Sequence, residues 1–304
     1  MNKEGYDKNF NAALTITSAT TGLLIPPSNV LIIYSLASGS VSIAALFIAG
    51  YVPGLILAAS LMIIAAVYAH VKGYPRGERI PLKQAFKKLL DAIPSLLLVI
   101  VVIGGIIRGV FTATEASAIA VLYSMVLAVV VYKEVSVKEL PALMLKTAET
   151  SAVVLLLIAT STAMSWMLSY ENIPQTISAT LLALSDNPLL ILLIINIILL
   201  MVGTFMDMTP AILIFTPIFL PVVAQMGISP LHFGIMMVLN LSIGVCTPPV
   251  GSVLFVGCSI AKTSITAVIK PLMPMYIAMI VTLMLITFIP ALSEWLPRTM
   301  GLID

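Results

Sequence analysis

Two short stretches of the chain combine a glycine with a pair of prolines at the same spacing. Residues 22–27 read Gly-Leu-Leu-Ile-Pro-Pro, and residues 244–249 read Gly-Val-Cys-Thr-Pro-Pro. A proline removes an amide donor and clashes with the preceding turn, and it pushes the residue before it out of the helical region. A helix that meets such a stretch breaks there. The break leaves unpaired carbonyls that can bind a cation, and the N-terminus of the following half-helix can face an anion.

A third stretch, Gly203-Thr-Phe-Met-Asp-Met-Thr-Pro, places an acid inside a long apolar segment. An ionisable side chain in such a segment is a functional candidate by default, which makes Asp207 one. Asp207 also has a structural alternative, because it or Thr209 could cap a helix that begins at this turn. Thr247 is open in the same way, since a threonine followed by a proline is a good helix start.

The composition identifies the kind of elements that must position these residues. Hydrophobic residues make up 60% of the 304 positions and charged residues only 9%, whereas a soluble domain carries about 25% charged residues. Apolar runs long enough to cross a bilayer recur, so we predict an all-α polytopic membrane protein with the lipid bilayer as its solvent. The predicted spans are 12–37, 44–69, 93–110, 115–132, 151–170, 231–260 and 270–291.

One further apolar segment, 188–224, is too long for a single crossing and is interrupted between Gly203 and Pro210. We predict that it forms a re-entrant hairpin, which enters and leaves on the same side of the membrane. Non-helical backbone at membrane depth is tolerated only where protein covers it or where it lines a cavity. The turn of this hairpin is therefore expected to lie against another part of the protein.

The positions of lysine and arginine predict the orientation. The connector 70–92 is rich in basic residues and is predicted to be cytoplasmic, with an amphipathic interfacial helix at 80–90. Counting crossings outward from it places the N-terminus on the same side and the tail 292–304 in the periplasm. The basic residues that fall on the cytoplasmic side are Lys3, Lys8, Lys72, Arg76, Arg79, Lys83, Lys87, Lys88, Lys133, Lys138, Lys262 and Lys270.

The two glycine–proline stretches belong to a repeat with an offset of 222 residues. The same offset carries Val41-Ser42-Ile43 onto Thr263-Ser264-Ile265. The broken span 12–37 runs outward and the broken span 231–260 runs inward, which is typical of the inverted repeats of secondary transporters. Residues 1–69 are then the C-terminal part of a first repeat that is incomplete, and residues 93–291 form the second repeat.

Several other residues that could be reactive or bind a ligand are better explained by structural roles. Cys246 and Cys258 lie in apolar sequence and suggest buried side chains rather than a metal site. Glu115 fits a capping box with Thr112. His232 is expected at the outer rim of the membrane. The sequence has no His-Glu-x-x-His motif, no clustered acids and no nucleotide-binding loop, which disfavours an intramembrane enzyme and, less firmly, an ATP-driven permease.

The chain resembles the large membrane subunit of tripartite ATP-independent periplasmic (TRAP) transporters over essentially its whole length. The stretches that carry the resemblance are Gly5-Tyr-Asp-Lys-Asn-Phe, Gly22-Leu-Leu-Ile-Pro-Pro-Ser, Gly50-Tyr-Val-Pro-Gly, Gly109-Val-Phe-Thr-Ala-Thr-Glu-Ala, Gly203-Thr-Phe-Met-Asp and Asn240-Leu-Ser-Ile-Gly-Val-Cys-Thr-Pro-Pro-Val-Gly. The resemblance implies an elevator-type, sodium-driven importer of organic anions in the bacterial inner membrane. It also implies a small membrane subunit and a periplasmic substrate-binding protein as partners, with no cofactor besides the coupling Na⁺ and no nucleic acid.

The resemblance also implies where the ions and the substrate bind. The first sodium site would use carbonyls near Gly22, Ile25 and Pro27. The second would use Gly203, Gly244, Thr247 and Pro249. Ser28, Asp207, Thr209 and Gly251 are expected in the substrate region. The substrate itself stays open among a four-carbon dicarboxylate, a sugar acid and a sialic acid.

The repeat predicts that roughly 130 residues before the first broken span, including its hairpin, are lacking from this sequence. The first sodium site is then incomplete, and we do not expect full transport activity from the 304 residues alone. Two alternatives follow for the function. The chain could be a stand-alone sodium/dicarboxylate symporter with a similar hairpin fold, or an inactive N-terminally truncated fragment of a permease.

Overall fold

The computed structural model describes residues 1, 5–39, 41–74, 81–185 and 187–303, with only the backbone of Leu182. Arg76 and Arg79 of the predicted cytoplasmic connector lie outside these described residues, as does Lys3. The described residues fold into α-helices joined by short connections and contain no β-strand. They divide into two compact units, Met1–Pro75 with Ile158–Asp304, and Arg76–Leu157, which we describe separately.

The first unit contains most of the helices. They are α1 (Lys8–Ala19), α2 (Thr21–Leu24), α3 (Asn29–Ser38), α4 (Ile43–Val71), the end of α7 (Leu140–Tyr170), α8 (Ile173–Leu184), α9 (Pro188–Phe205), α10 (Met208–Gln225), α11 (Pro230–Gly244), α12 (Ser252–Ala261), α13 (Ile265–Phe288) and α14 (Ala291–Thr299). The second unit contains α5 (Leu82–Ile107), α6 (Ala113–Val126), a π-helical turn (Leu127–Val131), a 3₁₀ turn (Val137–Glu139) and the beginning of α7.

Helix length and composition confirm a polytopic α-helical membrane protein. Seven of the described helical segments are long and apolar enough to span a bilayer: α4, α5, α6 with its π-helical turn, α7 with its preceding 3₁₀ turn, α9, α10 and α13. The segment Lys8–Leu24 and helix α3 form an eighth candidate as a pair bent by 47°. Because the bend falls at the first pair of prolines, residues 22–27 break their span where the sequence predicts it.

Equivalent helices of the two predicted repeats begin at equivalent residues. Lys8 and Pro230, and likewise Ile43 and Ile265, are the first residues of their helices and stand 222 positions apart. Two of the caps also correspond, since Ser42 Oγ accepts from Ala45 N at 3.4 Å and Ser264 Oγ accepts from Ala267 N at 3.4 Å. The sequence repeat is therefore a repeat of local structure.

Contacts at the helix ends show that the two broken spans run antiparallel. The Lys8 side-chain amine, at the start of α1, donates to the carbonyl of Lys262 at the end of α12, with an N–O distance of 2.9 Å. The Tyr34 hydroxyl, late in α3, donates to the carbonyl of Pro230 at the start of α11 at 2.6 Å. Each span thus begins where the other one ends, as expected of an inverted repeat. Between α4 and α13, the hydroxyls of Ser60 and Thr282 are 3.4 Å apart.

Helix α11 forms the centre of the first unit. All of its residues from Leu231 to Gly244 are buried, and α2, α3, α4, α9, α10, α13 and α14 pack around it. Because its residues are mostly apolar around the whole circumference, α11 has to pack against other helices on every side. The break that follows Gly244 therefore begins inside the protein, at Val245 and Cys246, and reaches the surface at Pro249.

The structure differs from the predicted spans in two places. Helix α8 is absent from the predicted spans. The predicted interfacial helix at 80–90 and the span 93–110 form one continuous helix, Leu82–Ile107, which contains Pro94. A proline removes the hydrogen bond of its own nitrogen and crowds the preceding turn, but a membrane helix can continue past it where neighbouring groups satisfy the freed carbonyl.

In the second unit, α5 packs against α6. The predicted capping box at the start of α6 is confirmed. The Thr112 hydroxyl oxygen accepts from Glu115 N at 3.2 Å, and the Glu115 carboxylate accepts from Thr112 N at 2.8 Å. Two amide groups at the helix start are thereby satisfied.

Candidate functional site

The break in the second span extends from Val245 to Gly251, between α11 and α12. A short turn follows α11, in which Thr247 N donates to Gly244 O at 2.8 Å. The chain then passes through Pro248 and Pro249, whose peptide bond is cis, and Val253 N returns to Val245 O at 3.1 Å. The carbonyls at the C-terminal end of α11 therefore face an irregular segment rather than a further turn of helix.

The turn of the hairpin α9–α10 lies directly against this break. A Cβ atom added to Gly244 would stand 2.7 Å from the Cα and the carbonyl carbon of Gly203, so the two glycines pack backbone to backbone. Just beyond, Gly251 N donates to Thr204 O at 3.1 Å. The structure thus brings Gly203 together with Gly244 and Gly251, which lie far from it in the sequence.

Both ends of the hairpin lie at the opposite end of the unit from its turn. Pro188, at the start of α9, and Ala224, near the end of α10, line one cavity of about 610 Å³ together with Pro230 at the start of α11. The turn at Met206 and Asp207 lies instead beside the break in the second span, through the contact of Thr204 with Gly251.

The Thr247 hydroxyl points back toward α11. It donates to Ile243 O at 2.8 Å and also shares a hydrogen bond with the Tyr276 hydroxyl of α13. The first helical residue after the break is Ser252, and its N-cap is Gly251. Thr247 therefore does not cap α12, which removes the capping alternative for this residue.

Asp207 and Thr209 lie at the turn between α9 and α10. Asp207 has the backbone conformation of an N-cap, but its carboxylate accepts no capping hydrogen bond and its side chain is exposed. Thr209 is the second residue of α10. Asp207 is thus the N-cap residue of α10 by its backbone conformation, but its carboxylate does not cap the helix.

The first break lies between α2 and α3 and packs against α4. A Cβ atom on Gly50 would stand 2.2 Å from Leu24 O, and one on Gly54 would stand 2.6 Å from Ile25 Cγ1. Ser28 is the N-cap of α3, is buried, and donates its hydroxyl to Leu23 O at 2.5 Å. Because Gly50 and Gly54 have no side chains, α4 leaves room for the irregular backbone of the first break.

The two breaks differ in how much of the protein covers them. A Cβ atom on Gly22 would meet no described atom within 4 Å, and Gly22 and Pro27 are exposed. Gly244, the equivalent of Gly22, is covered by the hairpin. Because α2 packs against α11, the first group, Gly22, Ile25, Pro27 and Ser28, lies beside the second. Helix α10 of the hairpin packs against α3, which follows the first break, but Gly22 itself has no covering contact such as Gly203 provides to Gly244.

The oxygen atoms at the two breaks belong to the backbone and to hydroxyl groups. Among the described residues, no three His, Cys, Asp or Glu side chains come together as they would at a transition-metal site. Pro249 is exposed and its side chain contributes no donor, so only its carbonyl can serve as a ligand. Such a donor set suits a hard cation.

A buried polar cluster that extends along α11 away from the second break, from Asn240 to His232, is absent from the predicted site. It consists of Asn196, His232, Asn240, Thr287 and Ser293, all 2% exposed or less. The place of His232 at the outer rim of the membrane stays a prediction, but the side chain is buried, with Nδ1 2.7 Å from Ser293 Oγ and Nε2 3.3 Å from Thr287 O. Burial of an imidazole requires such partners, and the packing between helices that supplies them is not visible in the sequence. Asn196, a lone amide in the apolar run of α9, was a visible signal.

Comparison with known proteins gives a consistent result. Residues 1–292 match the family model described as "Tripartite ATP-independent periplasmic transporter, DctM component". The uncharacterized protein YgiK of Salmonella typhimurium is 56% identical over 97% of this chain and 68% of its own length. The C4-dicarboxylate TRAP transporter large permease protein DctM of Pseudomonas aeruginosa is 38% identical over 99% of this chain and 70% of its own.

A relative that is named for a different substrate matches this chain to a similar extent. The sialic acid TRAP transporter large permease protein SiaM of Vibrio cholerae is 36% identical over 96% of this chain and 68% of its own length. The chain therefore spans a little over two thirds of the length of each of these relatives.

Proposed function

This chain belongs to the tripartite ATP-independent periplasmic transporter family as a DctM-type large permease of the inner membrane, and we propose that it couples sodium entry to the import of an organic anion. Its relatives are permease subunits rather than enzymes. The observation that carries the proposal is the close approach of Gly203 to Gly244, which joins the hairpin to the broken span.

The chemistry of the second break favours sodium as the coupling ion. The residues proposed to hold it are Gly203, Gly244, Thr247 and Pro249, through backbone carbonyls and the Thr247 hydroxyl. Broken helices in inverted-repeat transporters place such carbonyls where Na⁺ is coordinated. Because Gly203 and Gly244 touch through their backbones, carbonyls from the hairpin and from the broken span can serve one ion.

The substrate class follows from the helix N-termini around the two breaks. Helices α3, α10 and α12 begin next to Ser28, Asp207 and Gly251, with Thr209 in the first turn of α10. Helix N-termini attract anions. The relatives named for C4-dicarboxylate and for sialic acid share a carboxylate as the common feature of their substrates, so we propose a carboxylated solute.

The family implies two partners, a small membrane subunit and a periplasmic substrate-binding protein. Helices α5, α6 and α7 of the second unit expose apolar side chains along most of their length, including Leu97, Val121 and Leu155. Such surfaces suit lipid and a second membrane subunit. We also propose that the open face at Gly22 receives a hairpin equivalent to α9–α10, as the repeat requires.

The sodium proposal is tested by thermal unfolding of the purified 304-residue chain in detergent. Saturating Na⁺ is expected to raise the midpoint by on the order of 5 °C relative to K⁺ at the same ionic strength, because a ligand that binds only the folded state stabilises it. Equal midpoints in Na⁺ and K⁺ would contradict the proposal. Uptake in proteoliposomes that occurs without a binding protein would instead favour the stand-alone symporter.

A further inference from the structure

We infer that Asn196 and Asn240 are positioning residues, whose buried amide pair fixes the hairpin against the second broken span and thereby sets the geometry of the cation site. The sodium part of this inference rests on the proposed function, whereas the positioning part rests on contacts alone. The two residues belong to α9 and α11, the helices that carry Gly203 and Gly244.

The hydrogen bonds of the pair join the two helices directly. Asn240 Nδ2 donates to the Asn196 carbonyl at 2.9 Å and to Asn196 Oδ1 at 2.7 Å. Asn240 lies one turn before Gly244 and Asn196 lies two turns before Gly203. A slip of α9 along α11 by one residue would break both bonds and separate the two glycines.

The orientation of the pair is fixed from a third helix. Asn196 Nδ2 donates to Thr287 Oγ1 of α13 at 3.0 Å, which turns Asn196 Oδ1 toward Asn240. A reversed Asn240 amide would place its oxygen against two acceptors, the carbonyl and Oδ1 of Asn196. The donor of Asn240 therefore faces α9 in the only arrangement that these partners allow.

The same cluster continues along α11 to the cavity at the ends of the hairpin, which His232 and Thr287 line. Thr287 O lies 3.3 Å from His232 Nε2, and His232 Nδ1 lies 2.7 Å from Ser293 Oγ of α14. The amide pair is thus held by α13 and α14 as well as by its own helices. Because the hydrogen bonds run through an apolar interior, each one is strongly directional and resists a change of partner.

The pair is not explained by stability alone. Asn240 is fully buried, yet its Oδ1 has no hydrogen-bond partner among the described residues. A buried acceptor without a partner is costly, and an apolar residue of similar volume would avoid that cost. The best-attested benefit that offsets this cost in stability is a fixed register, which a polar residue can impose on two helices that pack through an apolar interface.

The test compares Asn240→Leu with a matched control, Ser242→Ala. Ser242 is a buried polar residue of the same helix, and its hydroxyl donates to Leu239 O within that helix. In the thermal assay we expect Asn240→Leu to raise the half-saturating Na⁺ concentration roughly three- to twentyfold, the range of one interhelical hydrogen bond in a membrane protein. The control is expected to leave that concentration unchanged.

A second readout does not depend on sodium. In Na⁺-free buffer, the backbone amides of residues 203–208 are expected to exchange with deuterium faster in Asn240→Leu than in the control. If Asn240→Leu does not fold, Thr287→Val serves instead, because it removes the acceptor of Asn196 Nδ2 while it keeps the side-chain volume. It is expected to change both readouts in the same direction by a smaller amount.

The outcomes separate the two claims. A wild-type chain without a Na⁺ response contradicts the proposed function, and the exchange of residues 203–208 then still decides the positioning role. A folded variant that keeps both the wild-type Na⁺ dependence and the wild-type exchange overturns the inference.

Discussion

At the residue scale, the contact between Gly203 and Gly244 determines how closely the hairpin can approach the broken span. Neither position has room for a side chain, since an added Cβ would come within 3.1 Å of the opposite backbone at Gly203 and within 2.7 Å at Gly244. The Cβ would meet backbone atoms, which cannot rotate away as the end of a flexible side chain can. The two glycines are therefore required by packing.

Gly244→Ala is predicted to force α9 away from α11. We expect a destabilisation of about 1–3 kcal/mol from overpacking, together with a higher half-saturating Na⁺ concentration in the thermal assay. Gly104→Ala is the control, because Gly104 lies inside α5 and an added Cβ meets no described atom within 4 Å. That substitution should be neutral or slightly stabilising. Equal loss of stability in both variants would show that the close approach is unimportant.

Sequence reasoning at this scale could identify glycines and prolines but not their partners. The spacing of Gly22 with Pro27 and of Gly244 with Pro249 predicts where helices break, because proline chemistry is local. That Gly203 touches Gly244, or that Asn196 reaches Asn240, depends on packing between helices remote in the sequence. The burial of His232 was missed for the same reason, since its partner Ser293 belongs to another helix.

At the element scale, the start of α6 depends on a local motif that the sequence predicts completely. Thr112 and Glu115 are three residues apart and satisfy each other's amides. Glu115 also accepts from the Thr112 hydroxyl at 2.9 Å. The helix is otherwise largely exposed, with only Ala116 buried among its residues Ala113–Val126. Its first turn thus receives little support from packing.

Thr112→Ala is predicted to destabilise the start of α6 by about 1 kcal/mol, because the first turn loses its cap. Hydrogen exchange of residues 113–117 should accelerate, while exchange in the core helix α11 should stay unchanged. Thr114→Ala, at the second residue of the same helix, tests whether loss of any threonine hydroxyl has this effect. Acceleration of the same size in Thr114→Ala would contradict a specific role of the capping box.

The predicted span 44–69 begins within one residue of the start of α4, whereas the predicted span 270–291 begins five residues after the start of α13. Ser42 and Ser264 cap α4 and α13, and both helices begin at the next residue. The continuous helix α5 was divided wrongly because Pro94 and the basic residues before it resemble a boundary. A proline inside a membrane helix is tolerated when neighbouring groups satisfy the freed carbonyl, which the sequence alone does not show.

At the scale of the whole molecule, contacts within the first unit gather its basic ends together. Lys8 bonds to the carbonyl of Lys262, and the rings of Phe10 and Tyr68, near the end of α4, stack with centroids 4.4 Å apart. Lys72 follows directly after α4. Three separate cationic sites of the sequence therefore lie at one end of this unit, as the positive-inside rule requires of a cytoplasmic face.

This orientation predicts which ends of the first unit can be labelled from the periplasm. In a chain with Cys246→Ala and Cys258→Ala, a cysteine at Arg298→Cys should react with a membrane-impermeant maleimide in intact cells. A cysteine at Lys262→Cys should react only after the inner membrane is permeabilised. The positive-inside rule supplies the reason, and the opposite labelling pattern would overturn the orientation.

The contact between Ser60 and Thr282 joins equivalent positions of the two repeats. The two residues are equivalent under the repeat, 222 positions apart, and their hydroxyls lie 3.4 Å from each other. An operation that exchanged the two halves would turn this contact into itself, so it is isologous and marks where a pseudo-two-fold axis passes. Other contacts between the halves, such as Tyr34 with Pro230, change partners when the halves exchange roles. The Ser60–Thr282 contact keeps the same two partners when the two halves exchange conformations. We therefore expect this contact to be preserved in any conformational change that exchanges the halves.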